Sequence, residues 1–383
     1  MRWGVNPYFS RVPEEGLEPT RPCGQRILSP SRLPFRHSGF ERPANIVEPT
    51  PSGDALPAGV PRGPSRYNGL VFPRSVGADR VSSSPLTPDE SPVSIREPYE
   101  NGRFGLSFEL FPPKTPSSEA VMWQTVEELM DFEPSLITCT YGAGGSTRGT
   151  TLEVLRGLRE RHDIPVASHL TCVGSSVEEL RSYLREAMDL GVTAIVALRG
   201  DPPKGETEFR QSAGGLRYAA ELVALIRSEF PELGILVAGY PETHQEAESP
   251  AADLQNLKRK CDAGGDVVVT QLFYDNADFF RFREQCVAEG ITAPIVPGIM
   301  PVTNYAQVRR IASLCKARLP EAFTRSFEAA GDDEAAQFEA GVDYAAGQVE
   351  DLVAAGVPGM HFYVLNKSPA TVRVLEHVGL RPA

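Results

Sequence analysis

Phe104-Gly-Leu-Ser-Phe-Glu-Leu-Phe111 is an apolar run that ends at Pro112-Pro113, which is the pattern of a short buried strand. It contains one carboxylate, that of Glu109. An ionised carboxylate without a partner is strongly disfavoured in a dry core, so Glu109 needs a partner, a raised pKa or a function such as proton transfer. Strand side chains alternate between the two faces of a sheet, which leaves open the alternative that Glu109 points into a solvated layer.

Seven further apolar runs of strand length follow along the chain, and amphipathic stretches of helical period separate most of them. The runs are residues 136–141, 166–172, 193–198, 235–240, 267–274, 295–299 and 361–365. Two of the intervening stretches, Ser176-Val-Glu-Glu-Leu and Asp253-Leu-Gln-Asn-Leu-Lys-Arg-Lys-Cys, look helical, and the first has the signature of a capping box. Eight strands that alternate with helices predict a parallel (β/α)8 TIM barrel in the α/β class, whereas a doubly wound open sheet would not need eight even repeats.

The amino-terminal part of the chain differs in composition from the rest. Residues 1–100 hold 17 of the 34 prolines and no lysine, and no amphipathic period runs through them. We predict that residues 1–97 are a disordered or irregular extension, because they lack the apolar content that offsets chain entropy, or an artefact of an upstream start-site assignment. Residues 98–383 form the predicted barrel domain, which has the usual length of this fold.

Composition and charge exclude several classes of protein. The net charge of −12 argues against a nucleic-acid groove. There is no uninterrupted apolar segment of about 18 residues and no apolar core of a signal peptide, so we predict a cytoplasmic protein without a membrane span. The six cysteines show no CxxC pair, which favours reduced thiols. His169-Leu-Thr-Cys172 has the spacing of metal ligands but lacks a second half-site, so no metal is predicted, and a homo-oligomer is left open.

Polar side chains lie at or just after the ends of seven of the predicted strands. They are Glu109, Thr140, Tyr141, His169, Arg199 and Asp201 around Gly200, Tyr240, His244, Gln271, Asn366 and Lys367. In TIM barrels the active site lies at the carboxyl ends of the strands. A single late-strand histidine is usually a hydrogen-bonded core residue, but polar residues at seven strand ends have no simple structural explanation. The sequence therefore predicts an active site at this end of the barrel.

Two segments have features of a dinucleotide site. Residues 142–149, Gly-Ala-Gly-Gly-Ser-Thr-Arg-Gly, lie between a strand and a helix, but the third glycine position is a threonine and the barrel pattern contradicts a Rossmann fold. In the other segment Asp253, Asn256 and Lys260 recur at helical spacing and share one helix face, with Arg259 beside it. A carboxylate can hold a ribose hydroxyl and the cations a diphosphate, although a solvated surface helix would show the same charge pattern.

From about Arg103 to Leu380 the chain resembles the methylenetetrahydrofolate reductases of the bacterial, single-domain type, a family of flavin-containing barrel enzymes. The matching segments span all eight predicted strands in order. They are Ser107-Phe-Glu-Leu-Phe-Pro-Pro-Lys114, Thr140-Tyr-Gly-Ala143, His169-Leu-Thr-Cys172, Ala197-Leu-Arg-Gly-Asp201, Tyr240-Pro-Glu-Thr-His244, Asp253-Leu-Gln-Asn-Leu-Lys-Arg-Lys260, Thr270-Gln271, Pro297-Gly-Ile-Met-Pro301 and His361-Phe-Tyr-Val-Leu-Asn366. Agreement at this many segments is specific to the family rather than to barrels in general.

The resemblance implies reduction of 5,10-methylenetetrahydrofolate to 5-methyltetrahydrofolate, with NADH or NADPH as electron donor and a ping-pong mechanism at one bound FAD. Glu109 matches the general acid that helps to open the folate ring, and Asp201 matches the carboxylate that lies near the flavin and binds the pterin. The positions that match flavin contacts are Thr140, Tyr141, Ala143, His169, Arg199, Gly200, Asp201, Tyr218, Ala219, Tyr240, His244, Asp253, Asn256, Arg259 and Lys260. The positions that match substrate contacts are Glu109, Asp201, Gln271, Gln307 and Lys367.

Two positions depart from the family pattern. Ile311 stands where an aromatic residue that packs on the substrate is expected, and Lys367 stands where an arginine is expected. Losing an aromatic face weakens stacking, and lysine lacks the planar fork of arginine. The rival interpretations are a non-catalytic folate-binding barrel subunit of a one-carbon complex and a folate-binding barrel methyltransferase without a diphosphate helix. The first would be marked by loss of Glu109 or of the helix face at residues 253–260, and neither is lost.

Overall fold

The computed structural model describes residues 94–141, 147–201, 209–315 and 317–380. Within these ranges nine strands form one sheet in which every pair is parallel, in the order β7-β6-β5-β4-β3-β2-β1-β9-β8. The strands are β1 (Gly105–Leu110), β2 (Leu136–Cys139), β3 (Val166–Thr171), β4 (Ala194–Leu198), β5 (Gly234–Gly239), β6 (Val267–Thr270), β7 (Ile295–Val296), β8 (Gly298–Ile299) and β9 (Gly359–Tyr363).

Helices alternate with the strands along the chain. They are α1 (Pro116–Met130), α2 (Arg148–His162), α3 (Val177–Asp189), α4 (Ala219–Glu229), α5 (Pro250–Asp262), α6 (Asn276–Ala288), α7 (Tyr305–Cys315), α8 (Glu321–Ala330), α9 (Glu334–Ala354) and α10 (Pro369–His377). In the part of the chain that the structure describes, none of them is long and apolar enough to cross a membrane.

The barrel closes at residues 295–299, where β7 and β8 are two halves of one strand interrupted at Pro297. β7 pairs with β6 and β8 pairs with β9, so the sheet returns on itself. Proline has no N–H to donate to a ladder, which explains the interruption, while the Pro297 carbonyl still accepts from the His361 N–H. The predicted eight-stranded barrel is confirmed, and each of the eight predicted strand runs overlaps an observed strand.

Local signals set several element boundaries. Ser176 caps α3 and forms the predicted capping box with Glu179. α5 begins at Pro250, and the Ser249 side chain accepts from the Ala252 N–H, so Asp253 lies in the first turn. The sixth strand is shorter than the run at 267–274 predicts, because it ends at Thr270 and the apolar residues beyond it are buried outside the ladder.

The amino-terminal end of the barrel is closed by the residues just before β1. Ile95 and Tyr99 are 8% and 4% exposed and pack against the interior side chains of the strands. A Cβ added at Gly105 would lie 2.3 Å from the Tyr99 ring, so glycine is required for this close approach. Ile95 thus packs with the barrel although the predicted extension runs to residue 97. The boundary itself stays a prediction, since residues 1–93 lie outside the described residues.

Candidate active site

A cavity of about 540 Å³ opens at the carboxyl ends of the strands. Its wall is polar on one side and apolar on the other. The polar side comes from β9, β1, β2 and β3 and contains His361, Glu109, Thr138, His169 and Thr171. The apolar side comes from β4, β5 and β6 and contains Val196, Leu198, Leu236, Ala238 and Val269. Such a cavity can hold a flat, partly apolar group while presenting hydrogen-bonding groups to one side of it.

Glu109 lies in this polar wall and is 7% exposed. Its Oε2 is 3.1 Å from Nε2 of His169 and 3.8 Å from Nε2 of His361. The shortest contact of each imidazole is thus with the same carboxylate oxygen. Glu109 therefore has the partners that a buried carboxylate needs, and the alternative of a solvated layer is wrong.

The two imidazoles change the protonation of Glu109. Burial raises the pKa of this carboxyl, but the charges and hydrogen bonds of His169 and His361 outweigh burial and lower it from 4.5 to about 2. In the structure without substrate, Glu109 is therefore a carboxylate at neutral pH. It can act as an acid only after it has taken up a proton, and the imidazoles are the nearest groups that exchange one.

His361 is itself held in place from the other side. Its Nδ1 lies 2.9 Å from Oγ of Ser107, and both residues are buried. If the serine hydroxyl donates to Nδ1, the ring proton is on Nε2, the nitrogen that faces Glu109. His361 and Ser107 lie in segments that match the family, but neither is among the residues predicted for the site. The pleat was the available signal, because Ser107 and Glu109 are two residues apart on one strand face.

Two hydroxyls in the same wall have no protein partner. Oγ1 of Thr138 and Oγ1 of Thr171 are buried and make no hydrogen bond among the described residues. Thr138 is the sheet neighbour of Glu109 in the register between β2 and β1. Buried polar groups in proteins nearly always have a hydrogen-bond partner, so a ligand or a water molecule is the natural partner of these two hydroxyls. The sequence analysis missed both.

A second cavity of about 810 Å³ lies beside the barrel mouth, between α4 and α5. It shares residues with the mouth cavity, among them Arg199, Tyr240 and His244, so the two spaces adjoin. We call it the outer cleft. The predicted flavin residues that line it are Arg199, Tyr218, Ala219, Tyr240, His244, Asp253, Asn256, Arg259 and Lys260. Ala247 and Glu246, which the sequence analysis did not select, line it as well.

Arg199 lies where the two cavities meet. Its Nη1 and Nη2 donate to the two carboxylate oxygens of Glu246 at 2.7 and 2.8 Å. Gly200 follows with φ +88°, and a Cβ there would lie 2.5 Å from Cγ1 of Val173, so only glycine fits. Asp201 is exposed and also lines the mouth cavity.

The helix face at residues 253–260 takes part in the outer cleft rather than in the solvated surface alone. A carboxylate oxygen of Asp253 accepts from the His244 N–H at 2.8 Å, which fixes the loop after β5. Arg259 donates to Asn256 at 2.7 Å on the exposed rim. Lys260 donates to the Ala238 carbonyl, and burial lowers the pKa of its ammonium to about 8, although Asp253 opposes this shift.

The predicted residues do not all surround one space. Thr140, Tyr141, His169, Gly200 and Gln271 line the mouth cavity. Gln307 and Lys367 instead line a third cavity of about 190 Å³, which shares Met300, Ile311, Tyr363 and Leu365 with the mouth cavity. Ala143 lies outside the described residues. The roles assigned to all these residues stay predictions.

Fold and site together define a TIM-barrel protein whose mouth cavity is built around one buried carboxylate and adjoins a cation-containing cleft. The sequence model of the methylenetetrahydrofolate reductase family matches residues 94–379. The chain is 39% identical to the 5,10-methylenetetrahydrofolate reductase of Salmonella typhimurium over 281 residues, which cover 73% of this chain and 93% of that relative. It therefore belongs to the methylenetetrahydrofolate reductase family.

Two further relatives agree with this assignment. The 5,10-methylenetetrahydrofolate reductase of Escherichia coli is 38% identical over 281 residues, with 73% of this chain and 93% of the relative covered. Methylenetetrahydrofolate reductase (NADH) 1 of Arabidopsis thaliana is 37% identical over 296 residues, with 75% of this chain but only 50% of the relative covered. The chain thus matches nearly the whole bacterial relatives and about half of the plant one.

Proposed function

We propose that this protein is an oxidoreductase that reduces 5,10-methylenetetrahydrofolate to 5-methyltetrahydrofolate, with FAD as its bound cofactor and NADH or NADPH as electron donor. The observation that carries the proposal is the placement of Glu109. A buried carboxylate between two imidazoles lies at the wall of a cavity that adjoins a cleft with arginine and lysine side chains. Ring opening of a methylene-bridged folate needs a positioned acid, and a dinucleotide needs cations.

The residues of the two cavities fit FAD. The apolar wall of the mouth, at Leu198, Leu236 and Val269, suits a flat ring system, while the partnerless hydroxyl of Thr171 suits a polar ring edge. In the outer cleft Lys260 and Arg259 suit a diphosphate, and the carboxylate of Asp253 suits a ribose hydroxyl. The rest of the cofactor contacts would come from the strand-end and cleft residues already named.

The chemistry that FAD supplies when bound is hydride transfer between nicotinamide and folate. Glu109 has a separate task, which is to deliver a proton to the leaving nitrogen of the folate ring. The low pKa of Glu109 applies to the cavity without substrate. A substrate that covers the cavity excludes water and disfavours the charged form, so binding raises the pKa and lets Glu109 hold the proton.

The remaining polar residues of the mouth cavity orient the Glu109 carboxylate and set the charge around the substrate and the flavin. His169 and His361 keep the carboxylate in one place and are near enough to exchange a proton with it. Asp201 places a negative charge at the mouth, which stabilises a cation that forms on the folate side and disfavours an anion on the flavin side. Ile311 contributes an apolar contact where an aromatic residue was expected, so we expect weaker stacking on the substrate there.

Visible spectroscopy of the purified protein tests the proposal. We expect a yellow protein that releases FAD on denaturation, loses its colour with NADH or NADPH, and regains it with methylenetetrahydrofolate. Comparison of the two nicotinamides establishes the electron donor. A colourless protein that does not take up added FAD would contradict the proposal and favour the non-catalytic folate-binding barrel.

A further inference from the structure

Thr138 combines two features that a structural residue does not need. Its hydroxyl is buried, with the residue 1% exposed, yet Oγ1 has no hydrogen-bond partner among the described residues. A buried hydroxyl without a partner costs stability, whereas valine has nearly the same shape and carries no such cost. The side chain also lines the mouth cavity.

The sheet register brings this hydroxyl next to the acid. Glu109 and Thr138 are Cα partners on β1 and β2, and neighbouring strands lie about 4.8 Å apart. Both side chains line the mouth cavity. The shortest contact of each imidazole is with Oε2 of Glu109. A carboxyl that rotates slightly toward β2 therefore meets the Thr138 hydroxyl.

We propose that Thr138 is a positioning residue for Glu109, whose hydroxyl accepts a hydrogen bond from the protonated carboxyl when the folate substrate is in place. The inference rests on the proposed function, since it assigns a second partner to the acid of that reaction. The ionised carboxylate is held by His169 and His361, and the protonated carboxyl is held by Thr138. A hydrogen bond to the neutral form favours that form, so Thr138 makes Glu109 a proton donor at a higher pH.

Thr171 shares the partnerless hydroxyl but is the sheet neighbour of Leu198 rather than of Glu109, so its partner is not indicated. A groove of about 460 Å³ between α1 and α2 carries mixed charges, including Lys114, Glu119 and Arg156, without a feature that selects a ligand. Thr138 differs from both in having Glu109, a carboxyl that must hold a proton, as its sheet neighbour.

The test uses Thr138→Val and Thr138→Ser in the flavin-loaded full chain, with stopped-flow absorbance of the flavin. We expect Thr138→Val to bind FAD and to be reduced by the nicotinamide as the wild type is. Its reoxidation by methylenetetrahydrofolate should fall about tenfold at neutral pH, and the pH above which this rate declines should shift down by on the order of one unit. Thr138→Ser should restore both values.

Stability provides an independent measurement on the protein without substrate. Removal of a partnerless buried hydroxyl should leave the melting temperature of Thr138→Val unchanged or raise it. The control is Thr125→Val, because the buried Thr125 hydroxyl donates to the Asn366 carbonyl at 3.1 Å and its loss should lower the melting temperature without moving the pH profile.

The outcomes separate the inference from the proposed function. An unchanged pH profile in Thr138→Val would overturn the inference while the wild type still shows both half-reactions. Slowing of both half-reactions, or loss of FAD, would also overturn it, because Thr138 would then act on the cofactor. A wild type that neither binds FAD nor is reduced would contradict the proposed function itself.

Discussion

Glu109 on β1 and His169 on β3 meet at 3.1 Å across the intervening strand β2. The contact is possible because the barrel curves, so that side chains of every second strand approach one another inside it. It fixes the carboxylate at the mouth cavity and, together with the contact of His361, lowers its pKa against the opposing effect of burial.

Glu109→Gln should separate the two half-reactions. Glutamine keeps the size of the side chain but cannot deliver a proton, whereas hydride transfer from the nicotinamide requires no acid from the protein. We expect normal FAD binding and normal bleaching by NADH or NADPH, with reoxidation by methylenetetrahydrofolate slowed by about 10²- to 10⁴-fold. Stopped-flow absorbance follows each step. Equal slowing of both steps would mean that Glu109 positions the flavin instead.

The same residue should make stability depend on acid. Its pKa is about 2 in the fold against an ordinary value of 4.5, so the unfolded chain binds more protons between these values. The stabilisation is therefore complete above pH 4.5 and is lost as the pH falls toward about 2. Urea unfolding of the wild type and of Glu109→Gln at several acidic pH values should show the difference in unfolding free energy shrinking with falling pH. A constant difference would contradict the lowered pKa of Glu109.

Glu246→Gln should strengthen FAD binding. Glu246 neutralises Arg199 through both of its oxygens, and Arg199 lies in the cleft proposed for an anionic cofactor. Removing one negative charge there should favour the diphosphate by about 1 kcal/mol, on the order of fivefold in Kd. Glu248→Gln is the matched control, because Glu248 also lines the cleft but forms no ion pair with Arg199 in the structure. Weaker binding by Glu246→Gln would show that the pair positions Arg199.

The fold could be predicted because buried parallel strands appear in the sequence as short apolar runs at regular intervals. The ends of the strands could be predicted less accurately. The run at 267–274 is continuous in hydrophobicity, yet the strand ends at Thr270, since burial in the core and pairing in the ladder look the same in a sequence. Proline at 297 divides the seventh strand without breaking the barrel, which only the pairing of both halves reveals.

The site could be predicted in part, because the carboxyl ends of parallel strands share one edge. Contacts that depend on closure could not. His361 reaches Glu109 only because β9 pairs with β1. The Arg199–Glu246 pair joins a strand end to a loop, and no periodicity signals it. Gln307 lies off the mouth cavity for the same reason, since its place depends on how α7 packs.

Truncation at the amino terminus should be tolerated up to Ser94 but not to Pro98. The proline-rich composition of residues 1–93 predicts little contribution to the core, whereas Ile95 is buried at the base of the barrel. A chain that begins at Ser94 should keep its unfolding free energy, and one that begins at Pro98 should lose roughly 2–5 kcal/mol, as for removal of a buried isoleucine side chain. Urea unfolding measures the unfolding free energy of both chains.

Two substitutions serve as controls. Ile95→Ala should reproduce the loss of stability, while Arg96→Ala should cost less than about 1 kcal/mol because its ion pair with Glu100 is partly exposed. Equal stability of the two truncated chains would contradict a role for Ile95.

Lys260 should make FAD binding depend on pH in the alkaline range. Burial lowers the pKa of its ammonium from 10.5 to about 8, although Asp253 raises it, so the lysine loses its charge as the pH rises through about 8. A diphosphate needs that charge, and we expect the Kd for FAD to increase above this pH by up to about tenfold per unit.

The stability of the FAD-free protein should increase over the pH range in which FAD binding weakens. Because the folded pKa lies below the unfolded one, unfolding takes up protons between about 8 and 10.5, and stability rises with pH in that window.

Two variants isolate the charge of Lys260. Lys260→Arg stays charged at every accessible pH, so its affinity for FAD should be nearly constant from about pH 7 to about pH 9. Lys260→Ala should bind FAD more weakly at neutral pH, by the roughly 1.5–3 kcal/mol of a charge-assisted hydrogen bond, and should show the same flat profile. Fluorescence titration with FAD gives the affinities, and urea unfolding gives the stabilities. Unchanged affinity in Lys260→Ala would mean that this helix face does not bind the diphosphate and that the diphosphate lies elsewhere.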